Sequence, residues 1–122
     1  MTENRQKTAA VATLIALLGA WSAADACEYP KKPDIPDGRN ASEKEMVESQ
    51  RAIKAYMTDM SEYRSCLDTE SQAAKVDGED PNITAQRDRI TAQRHNAAVD
   101  EENRHVEAFN EQVRAFKAEN DK

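Results

Sequence analysis

Residues 42–76 read SEKEMVESQRAIKAYMTDMSEYRSCLDTESQAAKV, and the spacing inside this run decides the fold. Met46, Ile53, Met60, Leu67 and Ala74 recur every seven residues, Met57 joins the same face, and Val47, Tyr56 and Tyr63 flank it. Seven residues are close to two helical turns, so such a row lies along one side of a helix. No Pro or Gly interrupts it before Gly78. At its start Ser42 and Glu45 have the spacing of a capping box, in which the serine hydroxyl accepts from the N3 amide and the glutamate reaches back to the cap. The run predicts one long amphipathic helix over 42–76.

Downstream, Asp77-Gly78-Glu79-Asp80-Pro81 is a stop and a restart. Gly78 suits the left-handed position after a helix end. Asp80 or Asn82 can cap a new helix, with Pro81 in its first turn. The second helix is predicted over 82–118. It opens with a near-duplicated heptad, Ile83-Thr-Ala-Gln-Arg-Asp-Arg89 and Ile90-Thr-Ala-Gln-Arg-His-Asn96. Val99, Val106 and Val113 then share a face with Phe109 and Phe116. This shift of stripe is expected where a 3.6-residue helix is read in sevens. So short a connection implies antiparallel neighbours, and heptad spacing on both implies coiled-coil-like packing. The expected fold is all-α: a two-helix hairpin over 42–119, with dimerisation into a four-helix bundle as a further expectation.

Upstream, residues 27–41 carry Pro30, Pro33 and Pro36. Proline fixes φ and biases the residue before it towards extended geometry, so this is an extended, polyproline-like arm ending in a turn at Asp37-Gly38. Tyr29 and Ile35 are its large apolar groups. Residues 1–26 have the three parts of a secretory signal: Arg5 and Lys7, then an apolar stretch from Ala9 to Trp21, then small residues to Ala26. Cleavage is expected after Ala24 or Ala26, with Ala26 preferred because it leaves Cys27 first. The apolar stretch is short for a membrane span, which needs about 20 residues.

Cys27 and Cys66 are the chain's two cysteines, and in an oxidising compartment such a pair usually joins. Cys66 lies about 36 Å into the first helix at 1.5 Å per residue. The arm spans about 43 Å at polyproline rise. The lengths agree if the arm folds back antiparallel along the first helix, with Tyr29 and Ile35 over the Met/Leu row. Two free thiols, or a lipidated Cys27 with a free Cys66, are the alternatives. The second would make a membrane-anchored lipoprotein, although Ala24-Asp25-Ala26 is a poor lipidation signal.

The 122-residue chain has 17 Lys and Arg against 23 Asp and Glu, a net charge of −6. Removing residues 1–26 takes two of each sign and leaves that balance unchanged. An acidic chain gains nothing from phosphate charge, which argues against nucleic acid and against anionic membrane surfaces. Only twelve of the residues from Cys27 onward are Leu, Ile, Val or Phe, so the core must be thin and needs a staple or a partner. Glu102 and His105 have a Glu-x-x-His spacing, but a bundle metal site needs a second such motif and more inward carboxylates, and none is present. There is no HExxH, CxxC, Gly-rich phosphate loop or G-x-S-x-G. No catalytic residue, cofactor or metal is expected. Met46, Ile53, Met57, Met60, Phe109 and Phe116 are the candidate interaction surface, because Met and aromatic groups suit adaptable contacts.

Cys27-Glu-Tyr-Pro30, Pro33-Asp-Ile-Pro-Asp-Gly38, Glu45-Met46, Gln50, Lys54-Ala-Tyr56, Tyr63, Cys66-Leu67, His95-Asn-Ala-Ala-Val99 and Phe109-Asn110 together resemble a family of small exported proteins of proteobacteria. The resemblance covers most of the chain after residue 26. It implies a periplasmic or secreted location and no catalysis. The functional expectation is an exported helical interaction or scaffold protein that binds a protein partner or itself. A chaperone-like protein holding unfolded clients is the alternative, since Ile83-Thr-Ala-Gln86 is similar to the Leu-Thr-x-x-Gln motif of periplasmic helical chaperones with the Gln displaced by one.

Overall fold

The structure is a computed structural model that describes residues 27–122; the expected signal segment and the expected cut sites at Ala24 and Ala26 lie outside them. Two helices, α1 (Glu43–Ala73) and α2 (Pro81–Asn120), pack against each other. Met46 packs with Phe109, and Arg64 pairs with Glu102. Low numbers on α1 meet high numbers on α2, so the hairpin is antiparallel.

The start of α1 follows from its sequence. Ser42 Oγ accepts from the Glu45 amide, and Ser42 N–H donates to Glu45 Oε2 at 2.7 Å, closing the capping box. The helix ends at Ala73, three residues before the predicted stop. Gly78 has φ of +78° but does not cap α1. It sits in the turn closed by Glu79 N–H to Val76 C=O at 3.1 Å, a place where a side chain would strain the backbone. Asp80 caps α2 by accepting from Asn82 N–H at 2.8 Å, with Pro81 in the first turn.

The α1 seam is Met46, Ser49, Ile53, Tyr56, Met60, Tyr63 and Leu67, all buried. Their steps alternate three and four, the a/d pattern of a coiled coil. Burial of each large member stabilises by about 1.5–3 kcal/mol. Tyr56 and Tyr63 are therefore central rather than flanking. One residue on, Met57 is turned by 100° and is 39% exposed.

Two expectations need correction. The proposed interaction surface is mostly interior: Met46, Ile53, Met60 and Phe109 are buried, and Phe116 is partly buried against the same cluster. With so few large apolar groups, the hairpin uses them in its own seam, and only Met57 of the six is exposed. The stripe on α2 does not drift from one row to the next either. Its inward line is Thr84, Thr91, Ala98, His105 and Gln112, every seventh residue, joined by Phe109 of the expected Val/Phe row; Ala98 and Phe109 are buried and the others half-buried. Ile83 and Ile90 flank that line on one side and Val106 and Val113 on the other, roughly a third of a turn apart. Both isoleucines are about half exposed, at 49% and 48%.

Candidate functional site

The arm lies in the groove between the helices. Cys27 Sγ is 2.04 Å from Cys66 Sγ, with Cα atoms 5.6 Å apart. From there the arm runs back towards the start of α1. The Tyr29 ring meets the edge of Tyr63 at 4.9 Å. Lys32 Nζ reaches Glu101 Oε1 at 2.5 Å. The Nε2–H of His105 donates to the Pro33 carbonyl at 2.9 Å, while its ring stands edge-on to Tyr56 at 5.3 Å. Ile35 packs on the Met46, Ile53 and Phe109 cluster. Gly38 N–H donates to Gln112 Oε1 at 2.9 Å.

Gly38 is fixed by contact rather than by turn geometry. A Cβ there would lie 1.9 Å from the Gln112 carbonyl oxygen, so only glycine lets the arm approach α2 so closely. The arm therefore contacts both helices, whereas the sequence placed it on α1 alone. His105, Gln112 and Glu101 are the anchors that sequence reasoning missed. The seven-residue step from Ala98 through His105 to Gln112 is the signal that could have found two of them.

Past Cys27 the same groove continues to the hairpin tip, where no described segment covers it. Its walls are Leu67, Glu70, Ser71 and Ala74 on α1 and Ile83, Arg87, Ile90 and Arg94 on α2, around a cavity of about 320 Å³. Glu70 Oε2 stands at the boundary, 3.4 Å from Cys27 Sγ and 3.7 Å from Arg94 Nη1. At the far end Arg87 makes a two-pronged ion pair with Glu79, one bond being 2.8 Å, and Thr84 Oγ1 donates to the same carboxylate at 2.8 Å. These bonds hold the Glu79 carboxyl at a pKa of about 2, below its ordinary 4.5. Burial pushes the Tyr56 phenol the other way, to about 12.

The remaining candidates are engaged elsewhere. Glu102 pairs with Arg64 across the helices, and His105 holds the arm, so the Glu-x-x-His pair does not converge on one point. His95 lines the opposite groove beside Asp68 and Asp88. Among the described residues no group of three or more His, Cys, Asp or Glu side chains is placed to hold a metal ion, and no helix is long and apolar enough to cross a membrane. No family model, curated protein or solved structure matches this chain.

Proposed function

We propose that this chain is an exported, non-catalytic interaction module, cleaved after Ala26 and working in the periplasm or outside the cell as a strapped helical hairpin. The observation that carries the reading is the strap. Cys27, the first residue after Ala24-Asp25-Ala26, stands at disulfide distance from Cys66, and such a pairing is compatible with an oxidising compartment, where disulfides persist. It also disfavours the lipoprotein reading, because a thioether on Cys27 would leave no sulfur for Cys66. The charged groups of the groove pair with the arm or with one another, which suits a binding surface better than an active site. The resemblance to small exported proteins points the same way.

A non-reducing intact mass after export from a bacterial host tests this. The expected species is Cys27–Lys122 with both thiols oxidised. A diacylglycerol adduct on Cys27, or retention of residues 1–26 with two free thiols, would overturn it. The chaperone-like alternative draws on the exposed Ile83 and Ile90 and requires suppression of client aggregation at near-stoichiometric amounts.

A further inference from the structure

The groove between the helices is one track with two fillings. Over its open-end part the arm supplies apolar side chains to the seam, and its backbone is bound at two points: the Pro33 carbonyl by His105 and the Gly38 amide by Gln112. Over its tip part the walls persist but no segment among the described residues lies between them. We infer that the tip groove binds a short, extended, uncharged apolar peptide segment of another protein, laid along the track the arm follows. The inference rests on the interaction-module reading and names the partner class of that surface.

Three observations select this occupant. The first is continuity. The arm shows what backbone shape the groove takes, an extended chain and not a helix. From Arg94 back to Ile83, α2 rises about 17 Å, which an extended chain covers in about five residues.

The second is size. Ile83 and Ile90, each about half exposed, are the large apolar groups that the groove walls leave open, a small surface. A stable protein–protein interface takes about 800 Å² from each partner, so a second hairpin would be held poorly by this surface. A cavity of about 320 Å³ suits a pair of aliphatic side chains.

The third is charge. Arg87 is neutralised by Glu79, and Arg94 stands beside Glu70. The groove thus offers no net charge to an acidic or basic ligand. Ser71, Gln86 and Thr91 remain to meet peptide backbone groups, as His105 and Gln112 do for the arm.

The test uses the exported, oxidised protein and a defined probe, the N-acetylated and C-amidated peptide Ser-Leu-Pro-Leu-Ser-Leu-Pro. Titration followed by amide NMR shifts should perturb residues 67–74 and 83–94 in a saturable way. The double variant Ile83→Ser, Ile90→Ser should bind at least about tenfold more weakly at an unchanged melting temperature, since both side chains are surface-exposed. Shifts confined to the Val106 and Val113 side, or no shifts at millimolar peptide, would overturn the proposal. So would a concentration-dependent dimer dissolved by the double variant, which would make a second copy the occupant. Protection of the groove in the uncleaved chain but not after cleavage, with no peptide binding, would assign it to the segment before Cys27. In each overturning case the oxidised Cys27–Lys122 mass is unaffected, so the export reading stands or falls separately.

Discussion

Among the described residues the hairpin is a three-layer object at its open end and a pair of helices alone at its tip. The open end has Met46, Ile53 and Phe109 inside, Ile35 of the arm above them, and Gly38 pressed against Gln112. The tip has Leu67 buried, Ile83 and Ile90 half exposed, and an ion pair between Arg87 and Glu79 in place of apolar cover. Two helices in contact bury one line of side chains each and leave the flanks of that line wet. A third segment is needed to cover a flank, and here a Pro-rich arm supplies it for part of the length. The described arm begins where Cys27 meets Cys66, so the boundary between the two regions is also the staple.

Cutting the staple should give the largest effect. The loop between the cysteines spans 39 residues, and closing such a loop stabilises by about 4 kcal/mol in the chain-entropy account. Cys27→Ser with Cys66→Ser should lower stability by about that amount in urea denaturation, a large share for a small domain. Amide exchange should then rise first at the arm and at Tyr56 and Tyr63. If the double variant melts as the wild type does, the arm is held by its other contacts and the boundary is not where we place it.

Core truncations divide the two regions next. Met60 is fully buried against Tyr56, Tyr63 and Leu67. Met60→Ala should cost about 2–5 kcal/mol. Ile90→Ala at the tip should change stability by less than about 0.5 kcal/mol, because that side chain is already half in water. Equal costs at the two sites would mean that the tip is covered in solution.

The contrast between the regions also separates what the sequence reveals from what it does not. One row of the α1 seam was legible because Met46, Ile53, Met60 and Leu67 carry hydropathy at a fixed period, while Tyr56 and Tyr63 read as its flank; the Ser42/Glu45 box and Asp80-Pro81 have local rules of their own. The length of the arm was legible from proline geometry. The seam of α2 was legible only at Phe109, because Thr84, Thr91, Ala98, His105 and Gln112 are small or polar and do not register as an apolar row. The louder Ile and Val rows drew attention to the flanks instead. The arm's hold on α2 was hidden for a different reason. Its two backbone bonds use the Pro33 carbonyl and the Gly38 amide, groups that carry no side-chain signature.

Tyr56 offers a smaller effect with a distinctive pH signature. Its hydroxyl is buried and has no hydrogen-bond partner among the described residues. Burial raises its pKa from the ordinary 10.0 to about 12, because the phenolate would lie in a poorly solvated site. A raised folded pKa means that the associated stability is complete below pH 10 and is lost as pH climbs from 10 towards 12. Tyr56→Phe removes an unsatisfied polar atom without opening a cavity. It should leave stability unchanged or raise it by up to about 1 kcal/mol, and should blunt the alkaline loss in a melting series. A loss of more than about 1 kcal/mol at neutral pH would show that the hydroxyl has a partner, and the packing of Tyr56 against His105 would have to be redrawn.

The smallest effect should be confined to the tip. Glu79 accepts from Thr84 and from both arms of Arg87, and these bonds lower its folded pKa from 4.5 to about 2. Its contribution is therefore present at neutral pH and fades as pH falls from about 4.5 towards 2, the reverse of the tyrosine case. The groups it joins all belong to the turn and the first turns of α2, so losing them should loosen that end without melting the open end. Amide exchange corrected for its intrinsic pH dependence should show residues 79–87 opening more readily at pH 3 than at pH 6, with Met60 and Phe109 little changed. Glu79→Gln keeps an oxygen acceptor but no charge, so at pH 6 it should already exchange more readily than the wild type and show little further dependence on acid. If acid instead loosens both ends together, the hairpin opens as one cooperative unit, and the tip could not be occupied or vacated independently of the strapped end.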